Sequence, residues 1–189
     1  MKKNILFLFS IIALSLSSCM KEQKVTFEDS KAEFDVAAYN ARFGATDFPL
    51  AIRVPPEGRA FVAADAPITR ATTSLRFRVN LIGAQRGSAA SVKYRVFTVG
   101  SSAGTTVTFP APVSSTLTII EAVPGTHYTA LSGTCTIPAN SSFGYIDIPV
   151  INSGVSSNTA AAIGLELIDG GDIAPSVNYR KVVLLISQK

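Results

Sequence analysis

The chain has no tryptophan, one histidine and two cysteines among 189 residues, and only 16% of its residues are charged. Each shortage removes a class of chemistry. With His127 the only histidine, any Ser-His-Asp triad or histidine metal site has to pass through it, and its neighbours supply no partner at the required spacing. Neither cysteine has a second thiol or imidazole at metal-ligand spacing, and no G-x-S-x-G elbow, H-E-x-x-H pair, P-loop or dinucleotide fingerprint occurs. The sequence therefore implies no cofactor and no metal. Without tryptophan there is no broad indole face for stacking a sugar ring. The 17 Lys and Arg residues are scattered along the chain, without the basic face and interleaved aromatics that nucleic acid demands, so no nucleic-acid partner is expected.

What the chain does have is a distinctive start. Lys2 and Lys3 precede an apolar stretch from Ile5 to Leu16, which closes in Leu16-Ser17-Ser18-Cys19. Basic residues hold such a start on the cytoplasmic side while the apolar stretch enters the bilayer. A permanent membrane helix needs about 20 residues, and this one is shorter. The tetrad reads as the lipobox of a bacterial lipoprotein, cut before Cys19 and acylated on its thiol. Two lipid signals already give stable attachment, at about 0.8 kcal/mol per buried methylene. An ordinary secretory signal cut after Ser17 or Ser18 is the competing reading. Lipidation leaves Cys135 as the one free thiol, and its position between Thr134 and Thr136 marks a small core residue. Lys2 and Lys3 account for two of the formal +4 charges, so the remainder is close to neutral.

The expected organisation is a signal peptide over 1–18, a lipidated tether over 19–45 and a β-sandwich over 46–189. Asp29 and Ser30 suit the cap of a short helix towards Arg42, although Val25, Phe27, Phe34 and Val36 fit extended structure equally well. Pro49, Pro55, Pro56 and Pro67 restrict the next stretch to short edge strands, one near 48–54 and a second near 60–63. From Thr73 the hydrophobic period becomes two. Leu75, Phe77, Val79 and Leu81 alternate with Arg76, Arg78 and Asn80, and shorter strands follow at 92–96, 105–109, 116–121, 133–137, 144–150, 162–168 and 181–187. Seven or more short strands between turn residues predict an all-β fold, an antiparallel sandwich whose outward Arg and Lys form a solvated face.

Glu121-Ala122-Val123-Pro124-Gly125-Thr126-His127-Tyr128, then Ser132-Gly133-Thr134-Cys135-Thr136-Ile137-Pro138-Ala139, then Gly144-Tyr145-Ile146-Asp147-Ile148-Pro149-Val150 resembles the Calx-beta repeat. The likeness runs from about Thr73 to Ser187. Together with the lipobox it resembles the small Calx-beta-like lipoproteins of Bacteroidetes, and implies an immunoglobulin-like sandwich. Calcium-binding members carry clustered aspartates where this chain has Asn152-Ser153-Gly154 and Ser187-Gln188-Lys189. Calcium needs several converging carboxylates, so these replacements imply that the family's calcium site is lost. His127 stands where the motif has aspartate, and either side chain can hydrogen-bond the turn.

A glycosidase needs two acids that meet in space, and Glu121, Asp147, Glu166, Asp169 and Asp172 are the available ones. Strand-face and loop acids are usually solvated, and the expectation is that the chain is not an enzyme. Loops on a rigid sandwich are where recognition usually sits. The loops 83–87, 140–143 and 169–180 should gather at one end, where Gln85, Arg86, Asp169, Asp172, Asn178, Tyr179 and Arg180 would give a polar rim with one aromatic; the competing reading is ordinary solvent loops with Phe143 tucked inwards. The reading that follows is a lipid-anchored, non-catalytic accessory or scaffolding module of the outer membrane, on either face, with another envelope protein or a polysaccharide as partner. The alternative is a self-assembling, pilin-like surface subunit, in which the region before Thr73 completes another copy's sheet.

Overall fold

A computed structural model of the chain describes residues 29–36, 48–55, 62–100 and 104–189. The lipobox, the signal peptide and residues 19–28 and 37–45 of the expected tether lie outside the described residues. Eleven strands make up the described fold: β1 (Lys31–Phe34), β2 (Leu50–Ala51), β3 (Ser74–Ile82), β4 (Ala90–Phe97), β5 (Thr106–Phe109), β6 (Ser115–Glu121), β7 (Thr134–Ile137), β8 (Phe143–Pro149), β9 (Thr159–Ile168), β10 (Ala174–Pro175) and β11 (Lys181–Ser187). One sheet runs β10-β1-β3-β8. The other runs β2-β11-β9-β4-β7, with the β5-β6 hairpin joined to β9 through β6.

The long ladders are antiparallel, as the period of two predicts. β3 pairs with β8 from Ser74↔Pro149 to Asn80↔Phe143, and β11 pairs with β9 from Lys181↔Glu166 to Ser187↔Ala160. Three short ladders are parallel: β1 with β10, β2 with β11 and β6 with β9. Each is only two to four residues long, so each adds a little edge protection without the long buried crossover of a parallel sheet.

Two expectations need correction. Residues 29–36 are neither tether nor helix. Ala32 and Phe34 are fully buried, Phe34 meets the Phe77 ring edge-on at 5.6 Å between centroids, and β1 runs antiparallel to β3 from Lys31↔Ile82 to Phe34↔Val79. The sandwich thus begins before residue 46, because burying two apolar side chains on one face favours a strand over a capped helix. Near residue 60, the described positions 62 and 63 are not strand.

The second correction concerns the faces. Leu75, Phe77, Val79 and Leu81 of β3 pack with Val92 and Tyr94 of β4, Ile163, Leu165 and Leu167 of β9 and Leu184 and Ile186 of β11 in the core between the sheets. Beneath the other face of the second sheet lies a further core. There Ala160, Ala162, Val183 and Leu185 are covered by Val107 and Phe109 of β5, Leu117 and Ile119 of β6, and Val99. This explains why β9 and β11 read as continuous apolar runs instead of alternating: both faces are dry.

At one edge the two sheets come together where β7 passes β8. A Cβ on Gly144 would run into the Thr136 carbonyl and the Cys135 sulfur, so only glycine lets these backbones approach. The Val123–Tyr128 turn seals the neighbouring stretch, with Thr129 N–H donating to Pro149 O (3.0 Å) and Ile151 N–H to His127 O (2.9 Å).

Candidate functional site

The ends of β3, β7 and β9 and the starts of β1, β4 and β8 share one end of the sandwich. Here the loops after β3, β7 and β9 meet. Gln85 Nε2 donates to Ser142 Oγ (2.9 Å), Arg86 Nη1 to Asp172 O (2.8 Å), and Asn140 N–H to Arg86 O (2.8 Å). Ser91 donates both its N–H (2.8 Å) and its hydroxyl (2.7 Å) to Asp172 Oδ2. Those two bonds, the hydroxyl's first, hold the Asp172 carboxyl below the usual carboxylate range. Gln85, Arg86 and Asp172 are therefore committed to one another's loops. Asp169 is exposed in the turn that leaves β9.

The other three rim residues lie elsewhere. The segment after β10 climbs alongside β1, with Ser176 N–H donating to Ala32 O (2.7 Å) and Phe34 N–H to Tyr179 O (2.9 Å). Asn178 N–H bonds Ser176 Oγ (3.2 Å), and Tyr179 takes a left-handed φ of 47° with its side chain 50% exposed. Arg180 turns to Glu166. The predicted rim is thus divided, because residues 176–179 follow the β1 edge away from the loop end before Arg180 returns to β9, where its carbonyl accepts the Leu167 N–H (2.8 Å).

Glu166 is the second finding that the sequence did not give up. It is only 5% exposed, on the outer face of β9. Arg95 approaches its Oε2 through Nε (2.9 Å) and Nη2 (2.7 Å), and Arg180 Nη2 (3.3 Å) and Lys181 Nζ (3.9 Å) approach Oε1. The Lys181 ammonium also lies 5.5 Å from the Phe97 ring centre. Three cations thus tie this carboxylate into the packing of β4, β9 and β11. The remaining candidate acids are engaged as well: Glu121 Oε1 accepts from Gly100 N–H (3.0 Å) and Asp147 Oδ1 from Arg76 Nε (2.9 Å).

The single histidine and the free thiol follow the same pattern. His127 Nδ1 accepts the Val123 N–H (2.9 Å), closing the turn, and burial pushes its pKa down. Cys135 is buried, its thiol donates to Tyr145 O (3.4 Å), and burial, aided by the Asp147 charge, pushes its pKa up to about 12. A thiol of that acidity is inert at neutral pH. In Asn152-Ser153-Gly154, Asn152 Oδ1 accepts from Arg70 Nη1 (2.8 Å) and from Gly154 N–H (2.9 Å).

The outer face of the first sheet corrects the expectation for Phe143. Its side chain is 38% exposed and points outward, 5.6 Å from the Tyr145 ring. Arg78 lies over Phe143 (5.3 Å) and Arg76 over Tyr145 (5.1 Å), and Asp35 and Asp147 hold the two guanidinium groups. This is a flat ladder of stacked arginine and aromatic side chains with balanced charge.

No protein-family model matches the chain, and no curated protein does. Solved structures similar to it include the apo form of the Calx CBD1 domain, at 14% identity over 85% of this chain and 99% of that one, with a TM-score of 0.47. Another is a putative carbohydrate binding protein from Bacteroides ovatus, at 9% identity over 62% of this chain and 32% of that one, TM-score 0.37. A third is Bacteroides thetaiotamicron EndoBT-3987 with Man5GlcNAc product, at 15% identity over 64% of this chain and 27% of that one, TM-score 0.41. A Calx-beta domain, the resemblance noted in the sequence, thus stands among the folds similar to this two-sheet, all-strand sandwich.

Proposed function

We propose that the chain is a lipid-anchored, non-catalytic protein of the bacterial outer membrane, an accessory binding or scaffolding module for another envelope protein or a polysaccharide. The observation that carries this reading is the use to which the reactive groups are put. His127 closes a turn, Cys135 fills the core and Glu166 is wrapped by three cations, so these three groups, which catalysis could draw on, serve the fold. Anchoring rests on Leu16-Ser17-Ser18-Cys19. A rigid body on a lipid tail holds things in place, and its exposed loops and its arginine-aromatic face are the surfaces that a partner can reach.

The test is acylation. Full-length protein made in a bacterium with lipoprotein-processing enzymes should incorporate labelled fatty acid and sediment with membranes, and Cys19→Ser should do neither. Equal membrane retention of Cys19→Ser overturns the anchor. A glycosidase or esterase activity that Glu166→Gln or His127→Ala abolishes, with thermal stability intact, overturns the non-catalytic part.

A further inference from the structure

We propose that the sandwich stands on the membrane with the 83–89, 138–142 and 169–173 loops towards the lipid and its C-terminus away from it, an orientation that rests on acylation of Cys19. Three observations define it. The chain enters the described fold at the loop end: a Cβ on Gly83 would lie 3.1 Å from Asp29 O and 3.3 Å from Ser30 Cα, and the Ser30 hydroxyl donates to Ala84 O (3.4 Å). The entry point is fixed, because Ala32 and Phe34 are fully buried two and four residues after Ser30. Only residues 20–28 separate Cys19 from Asp29.

Length then decides. Ten residue steps reach at most about 33–36 Å. The sandwich is itself about 30 Å long along β3 and β9, at roughly 3.3 Å per residue. For the far end to touch the lipid, Asp29 would have to sit a whole sandwich length above it. That distance is nearly the whole reach of ten residue steps. With the loop end down, the distance to be covered is a small part of that reach.

The outcome changes which surfaces meet which partners. Gln85, Arg86 and Asp172 face the headgroup layer, where a partner must itself be held in the bilayer. Arg70, Asn152, Val155 and Lys189 lie at the far end, open to the aqueous side; Arg70 bonds both Asn152 and the Lys189 carbonyl there.

The experiment uses the full acylated chain in vesicles of phosphatidylethanolamine and phosphatidylglycerol that carry an acceptor dye on the headgroup. A donor dye is placed by Gln85→Cys or by Val155→Cys, in a Cys135→Ala background. Transfer from position 85 should exceed transfer from position 155 several-fold, and a long Gly/Ser spacer after Lys24 should narrow the gap. Equal transfer from both sites, or greater transfer from 155, overturns the orientation while co-flotation with the vesicles upholds the anchor. Flotation of Cys19→Ser equal to that of the parent protein overturns the anchor, and the orientation falls with it.

Discussion

At the scale of single residues, the informative positions are those whose chemistry the fold has silenced. Cys135 is the sharpest case, because burial leaves a thermodynamic signature. Its thiol is raised from 9.0 to about 12 in the folded protein, so the folded state keeps a proton that the unfolded chain releases. The stabilisation is complete below about pH 9 and is lost as the pH climbs to about 12, at up to about 1.4 kcal/mol per pH unit. Urea titrations of Cys19→Ser, whose only thiol is Cys135, should show that slope, and Cys135→Ala should flatten it. The same Cys19→Ser protein should give no reaction with a thiol reagent at pH 8 until it is unfolded. His127 tells a related story. The sequence marked it as a turn residue in the place of an aspartate, and the Val123 N–H bonded to its Nδ1 shows the chemistry the two side chains share.

Elements differ in how plainly the sequence declares them. β3 was legible because one of its faces is dry and the other wet, which prints a period of two over nine residues. β1 and β10 were not, because strands of four and two residues are too short to print any period, and a capped helix fitted the same segment of β1. Even so, β1 is central to its sheet, lying between β3 and β10. Deleting residues 20–28 should leave the melting temperature unchanged. Deleting 20–36 strips Phe34 and Ala32 from the core, and losing a buried Phe alone costs about 3–5 kcal/mol. The longer deletion should therefore abolish the cooperative transition seen by circular dichroism. Ordered, concentration-dependent polymers from that deletion would instead support the self-assembling alternative, with a remaining segment before Thr73 of one copy filling the place of β1 in the next.

On the scale of the whole molecule, the sandwich is asymmetric, with one inter-sheet core and a second core under the β5-β6 hairpin. Sequence pattern cannot reveal the second, since it says only that β9 and β11 are apolar throughout and not what covers them. The Glu166 cluster was hidden for a similar reason: Arg95 and Glu166 are 71 positions apart and meet only through the register of β4 on β9. The loop end was legible as far as turn residues mark it, which brought Gln85, Arg86 and Asp172 together. The path of residues 176–179 along β1 was not, because no local signal fixes it. Both cores share β9 and β11, so they should melt as one unit. Phe109→Ala, on the hairpin side, should cost about 3–5 kcal/mol and shift a single calorimetric transition; two resolved transitions would show that the hairpin layer folds by itself.

The placement of β1 also sets how the body answers to pulling. The N-terminal end of the described fold and the C-terminus sit at opposite poles, and a force between them runs along the strand axis. The rungs joining β1 to β3 lie across that axis. Such a force shears all of them at once and cannot peel them off one by one, so a molecule gripped at its outer pole resists mechanical drag with the whole ladder.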